Sequence, residues 1–158
     1  MSYTEDMRRL IGSRPLLAPG VAVLVLNQAG QLLLLQRADN HDWTLPGGFM
    51  ELNEAPEGTA RRELDEEIGL TAGTLQLFGA YGGPELFHTF PNGDQVSSVT
   101  IAYITRDTAG TPRVDGKEVI KAEYFDLHAL PANLFKTNLP ILREARIQKS
   151  EGRRQEYR

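Results

Sequence analysis

The 158-residue chain contains no cysteine. That absence excludes disulfides, thiolate nucleophiles and sulfur-based zinc sites, and it fits a reducing compartment. Any metal must then sit on oxygen or imidazole. Long apolar runs are also missing, since the longest cover residues 21–26 and 32–35, far short of the roughly 20 residues that cross a bilayer. The first ten residues hold Glu5, Asp6, Arg8 and Arg9 and nothing resembling an export signal, so a soluble, cytoplasmic protein is expected. Basic residues are not in excess: 17 Lys and Arg stand against 21 Asp and Glu, a formal net charge of -4. A surface for nucleic acid or anionic membrane needs the opposite balance, so neither partner is expected, and an anionic substrate would have to be met by local cations. There is no repeat, and the only biased stretch is the charged tail 149–158, expected to fray.

A length of 158 residues with 41% hydrophobic content suits one domain with one proper core, here placed at about residues 18–148. Residues 20–27 and 31–37 are β-rich runs joined by Asn27, Gln28, Ala29 and Gly30, which predicts a hairpin. Further strands are expected over 75–81, 96–105 and 122–126, with a turn at 91–94. Pro56 suits a first helical turn and Gly69 the position past a helix end, which predicts a helix over 56–68 with Ala60, Leu64 and Ile68 facing the core. A last helix is expected over 139–147. Strands interleaved with two helices, without a regular βαβ rhythm, point to an α/β fold with a mixed sheet covered by helices.

The helix over 56–68 carries the chemistry. Glu63, Glu66 and Glu67 stand at i, i+3 and i+4 and share one face. Carboxylates so close are costly without a cation among them, and an all-oxygen cluster suits Mg²⁺ or Mn²⁺. Three glutamates alone would equally describe a solvated acidic stripe; the glycines and arginine around them argue otherwise. Arg62 is cationic and so is better placed as a charge-assisted partner of Glu54 or a helix glutamate. The turn at Pro46, Gly47 and Gly48 exposes backbone carbonyls, and that of Gly47 could complete a metal shell.

Gly48 is followed after five residues by Glu54, then after seven by Arg62-Glu63, Leu64, any residue, Glu66-Glu67, any residue, Gly69 and Leu70. This pattern resembles the Nudix box at every defined position. With about 7% usage for each of the fixed residues, chance agreement at one start is on the order of 10⁻⁸. The resemblance implies an α/β/α sandwich and a metal-dependent hydrolase that cleaves a phosphoanhydride bond in a nucleotide or nucleoside diphosphate derivative. Glu63 and Glu67 would coordinate metal with the Gly47 carbonyl, and Glu66 would bind metal or help activate water. Similarity to the MutT-like nucleotide pyrophosphohydrolases adds Arg37 as a phosphate ligand, Glu118 as a further metal ligand from a loop, and Asn138 as a contact to the base. Each of these has a plain alternative as a surface charge, a solvated loop residue and a helix N-cap, respectively.

The segment 81–95 departs from that subgroup, and its Pro84 keeps an ADP-ribose or nucleotide-sugar pyrophosphatase as the alternative. A nucleotide-sensing module without turnover is the other rival. Among the histidines, His88 in this segment is the one to test for substrate contact. Trp43, Phe49, Tyr81 and Phe87 could stack a base or simply pack in the core. The family resemblance also admits a homodimer.

Overall fold

The apolar runs near the N-terminus form two strands, β1 (Leu16–Val25) and β2 (Leu32–Arg37), each buried on both faces over most of its length. Side chains alternate across a strand, and here the alternation divides two cores. Val21, Val23, Val25, Leu33 and Leu35 pack with Ala60, Leu64 and Ile68 of helix α2 (Pro56–Ile68). Ala22, Leu24, Leu26, Leu32 and Leu34 pack with Ile141, Leu142 and Ala145 of the last helix, Leu139–Glu156. The layers are therefore helix, strands, helix, as the sequence leads one to expect. The computed structural model describes residues 2–156, with side chains described through residue 152.

β1 pairs in parallel with the long strand Gln95–Thr105 along its whole length and antiparallel with Gly47–Phe49 at its middle. In chain order the strands after β2 are β3 (Trp43–Thr44), β4 (Gly47–Phe49), β5 (Thr71–Ala72), β6 (Gln76–Tyr81), β7 (Phe87–Thr89), β8 (Gln95–Thr105), β9 (Thr108–Ala109) and β10 (Val119–Phe125). β4, β1, β8 and β6 lie in that order in a five-stranded mixed sheet, with β7 also on β8. β10, β2 and β3 form an antiparallel sheet, and β5 pairs with β9.

The expected hairpin between residues 20–27 and 31–37 is corrected. Its turn is present, with Gly30 N–H donating to the Asn27 carbonyl and Asn27 N–H to that of Gln31, but pairing stops at the single bridge Leu26 to Leu32. Beyond it the edge of β1 is taken by Pro46 and β4: Val23 N–H donates to the Pro46 carbonyl at 2.9 Å. β2 turns instead to β10 and β3.

Two helical expectations also change. The last helix, named α3, continues to Glu156 rather than ending near 147, so the tail expected to fray is helical as far as it is described. An unpredicted helix, α1 (Tyr3–Ile11), opens the chain. Its signal was present: the Ser2 side chain and Glu5 form a reciprocal capping box. Segment 81–95 resolves into a one-turn 3₁₀ helix at Pro84–Leu86 followed by the β7–β8 hairpin around the turn at 90–94.

Leu34 is fully buried between β2 and α3. Leu34→Ala should cost about 2–5 kcal/mol, read as a lower midpoint in urea unfolding with an unchanged slope.

Candidate functional site

Helix α2 begins with Pro56 at its first turn and ends where Gly69 enters the left-handed conformation at φ 69°, its N–H closing on the Asp65 and Leu64 carbonyls. Burial of Ala60, Leu64 and Ile68 on one side turns Arg62, Glu63, Glu66 and Glu67 toward β4 and solvent. Gly47 N–H donates to Glu67 Oε1 at 2.8 Å. The Glu63 carboxylate lies over Gly48, where a Cβ would stand 2.5 Å from its carboxyl carbon, and a Cβ at position 47 would come within 2.1 Å of the Val21 carbonyl oxygen. Gly47 is thus required by its approach to the β1 backbone, whereas a side chain at 48 would push the Glu63 carboxylate from its place.

Arg62 links the glutamates. Its Nε and Nη2 donate to the two oxygens of Glu54 at 2.7 and 2.9 Å, its Nη1 to Glu63 at 2.9 Å and Glu66 at 3.2 Å, and its Nη2 also to the Phe49 carbonyl at 3.2 Å. Glu54 further accepts from Thr59 Oγ1 at 2.5 Å and from Glu51 N–H at 3.1 Å. The sequence-based pairing of Arg62 with Glu54 is seen, and it joins the loop after β4 to α2.

The carboxylates are tuned in opposite directions. The Arg62 guanidinium, with Thr59 and a backbone N–H, holds Glu54 down at about 2. Burial pushes Glu67 up to about 8 against the opposing bond from Gly47, and repulsion from Glu63 and Glu118 adds to the rise. Glu63 is also raised, mainly by burial, although Arg62 pulls the other way. Glu66 points outward, with its side chain 59% exposed.

Among the described residues no three His, Asp or Glu side chains converge as a ready cation cage. Arg62 supplies the positive charge beside Glu63 and Glu66 in this arrangement, and the Glu118 side chain is exposed on its loop. At Gly47 the backbone N–H meets Glu67; the carbonyl, expected from the sequence to face a metal, is a separate group.

A cleft runs beside these residues. One chamber, of about 400 Å³, is lined by Glu67, Lys117, Glu118 and Asp39. A second, of about 160 Å³, is lined by His88, Phe90, Phe135 and Asn138. The two share Arg37, Thr44, Leu45 and Gly47. Arg37 stands at that junction, paired through Nε and Nη2 with Asp39 at 3.0 and 2.7 Å and stacked 4.5 Å from the Phe135 ring centre. Glu118 is placed by the loop turn in which Asp115 accepts from the backbone N–H groups of Lys117, Glu118 and Val119. Asn138 is buried and donates to Thr44 Oγ1 at 2.7 Å. His88 packs on Phe90 and Phe135 at 4.6 and 4.9 Å, and burial together with Arg37 lowers its pKa.

The structure thus gathers Arg37, Gly47, Glu67, Glu118 and Asn138 along one cleft, with Glu63 and Arg62 meeting its Gly48 and Phe49, and Glu54 bonded to Arg62. It adds Asp39, Lys117 and Phe135, which sequence reasoning did not assign. Asp39 and Lys117 adjoin Arg37 and Glu118, so adjacency was the available signal; Phe135 carried none. Of the aromatic candidates, Phe49 lines the cleft, whereas Trp43 packs edge-on against Phe125 in the core.

The NUDIX domain family model matches residues 16–145. The chain belongs to the Nudix family. This Nudix chain is 35% identical to an ADP-ribose pyrophosphatase of Methanocaldococcus jannaschii over 75% of its own length and 69% of that protein. It is 45% identical to a MutT-like protein of Streptomyces ambofaciens, over 44% of this chain and 45% of that one. The matches thus span under half of some curated relatives and about two thirds of another. Its fold superimposes on a MutT Nudix hydrolase from Burkholderia pseudomallei with TM-score 0.69 at 25% identity, covering 82% of this chain and 98% of that one.

The opposite shifts of Glu54 and Glu67 contribute to the pH response of the metal-free Nudix domain in two separate windows. Glu54, depressed to about 2, contributes stability above about pH 4.5 that disappears as pH falls toward 2. Glu67, raised to about 8, favours the fold while protonated, and that contribution is lost as pH rises from about 4.5 through 8. In EDTA the melting temperature should therefore decline over that upper window. Glu67→Gln should flatten the decline, and a wild-type profile already flat there would contradict the assigned environment.

Proposed function

We propose that this Nudix protein hydrolyses a phosphoanhydride bond in a nucleoside triphosphate or nucleoside diphosphate derivative, with Mg²⁺ or Mn²⁺ as cofactor, in the cytoplasm. The observation that carries the reading is the single cleft in which a carboxylate chamber meets an aromatic one at Arg37. Its larger chamber alone, at about 400 Å³, falls within the roughly 300–1,000 Å³ usual for small-molecule sites.

The donor chemistry fits a hard divalent cation. Glu67 is a partly buried carboxylate whose ionised form is opposed by desolvation and by Glu63 and Glu118, so a cation bound beside it would relieve both effects. Glu63, Glu66, Glu67, Glu118 and the Gly47 carbonyl are the groups that would hold it. A divalent cation held there would supply positive charge to diphosphate oxygens and lower the pKa of a bound water.

The remaining roles belong to the chain itself. Arg62, held bidentately by Glu54, keeps Glu63 and Glu66 in place and spreads their charge. Arg37 and Lys117 bring positive charge to the phosphates, while Asn138 and His88 orient the nucleoside in the smaller chamber. Acceptance of a proton from the attacking water is assigned to Glu63, Glu66 and Glu67 as a shared role. Water attacks phosphorus, the bridging P–O bond breaks, and the leaving phosphate departs with the electron pair.

The similarity to an ADP-ribose pyrophosphatase favours a second reading of the same site, in which a nucleoside diphosphate sugar is the substrate. A panel of canonical and oxidised nucleoside triphosphates, ADP-ribose, nucleotide sugars and dinucleoside polyphosphates, assayed with Mg²⁺ or Mn²⁺, separates the two. Turnover of some member is expected, and none with either metal would defeat the enzymatic reading in favour of a sensing module. Glu63→Gln and Glu67→Gln should each lower kcat by about 100-fold or more while circular dichroism stays unchanged. Undiminished activity in both would remove the metal-site assignment.

A further inference from the structure

We propose that Asp39 and Phe135 are positioning residues that fix the Arg37 guanidinium at the junction of the two chambers, so that its remaining edge meets the diphosphate of the substrate. The inference rests on the nucleotide reading above and specifies how its phosphate site is preorganised.

A long arginine on a cleft wall ordinarily samples many rotamers and pays for ordering when a ligand arrives. Arg37 is restrained from two directions. Asp39 takes one hydrogen-bonding edge through Nε and Nη2 at 3.0 and 2.7 Å. Phe135 supports the flat face, with its ring centre 4.5 Å from the guanidinium carbon. The ring is itself fixed: Phe135 is buried, and its N–H donates to the Trp43 carbonyl of β3 at 2.7 Å.

A guanidinium offers two forked edges to oxyanions. With the Nε–Nη2 edge on Asp39, the Nη1–Nη2 edge is the one left for phosphate, and among the described residues no acceptor is recorded on Nη1. The same pair is poorly suited to stabilising the fold, because the Asp39 side chain is 45% exposed and such ion pairs contribute little. A positioning role therefore accounts for the arrangement better than a structural one. The opposite reading, in which Asp39 competes with substrate for Arg37, predicts that neutralising Asp39 tightens binding.

The test is calorimetric titration of metal-free protein in EDTA with ADP, for wild type, Asp39→Asn, Phe135→Leu, Arg37→Met and the double variant Asp39→Asn with Arg37→Met. Releasing one preorganised side chain corresponds to about tenfold in Kd. Asp39→Asn and Phe135→Leu should each weaken ADP by about that factor. Arg37→Met should weaken it at least as much, and adding Asp39→Asn to Arg37→Met should change Kd by less than about twofold. On a substrate found in the panel, Asp39→Asn should raise KM by a similar factor while kcat stays within about threefold.

Tighter ADP binding by Asp39→Asn, fully additive losses in the double variant, or no detectable ADP binding by wild type would each overturn the proposal. If Phe135→Leu fails to fold, the cycle between Asp39 and Arg37 decides alone. The failures are separable: ADP binding with the expected coupling but no turnover of any nucleotide would sink the enzymatic reading and leave the positioning of Arg37 intact.

Discussion

β4 can lie against β1 only because position 47 carries no side chain, and the bare position 48 gives the Glu63 carboxylate of α2 its place over the strand. A Cβ at 47 would enter the Val21 backbone carbonyl and one at 48 would displace the Glu63 carboxylate, so the site begins with a steric constraint on β4. Everything chemical follows from it. The close contact brings Gly47 N–H to Glu67, presses Glu63 over Gly48, and lets Arg62 reach the Phe49 carbonyl while holding Glu54. The hydrophobic stripe of Ala60, Leu64 and Ile68 supplies the driving force for docking, and Gly48 leaves room for the Glu63 carboxylate against β4.

Within that contact, charge is distributed unequally. Glu54 has a bidentate arginine and ionises easily, while Glu67 has one backbone donor, lies deeper and faces other carboxylates. Burial outweighs its hydrogen bond, which is the expected order when a single N–H must offset desolvation of a full charge. Glu54 and Arg62 form the scaffold of the site, and Glu67 is the member whose charge most needs a cation. The cleft places that need next to Arg37 and Lys117, so carboxylates and cations flank the same space, an arrangement suited to an anion that arrives with its own metal.

Much of this was legible in residues 48–70, because a helix with fixed-spacing charges is a local object. Pro56 and Gly69 mark its ends, and the period of Ala60, Leu64 and Ile68 assigns its faces. The strand pairing was not legible to the same degree. β1 and β2 follow one another through a proper turn, yet separate into different sheets, because the edge of β1 is claimed by β4 and by the distant β8. Local pattern does not reveal such competition between partners. Phe135 was silent for the same reason, since its importance comes from the Arg37 and His88 it meets across the fold. The helix α1, in contrast, carries a local signal in the capping box of Ser2 and Glu5.

The proposed divalent-cation site centres on Glu67, in the chamber it lines with Lys117 and Glu118. The most direct measurement is a titration with Mn²⁺ at neutral pH followed by electron paramagnetic resonance, comparing wild type with Glu67→Gln. The account predicts that wild type depletes the free Mn²⁺ signal and that Glu67→Gln weakens uptake by about tenfold or more. Equal Mn²⁺ affinity in the two proteins would contradict it.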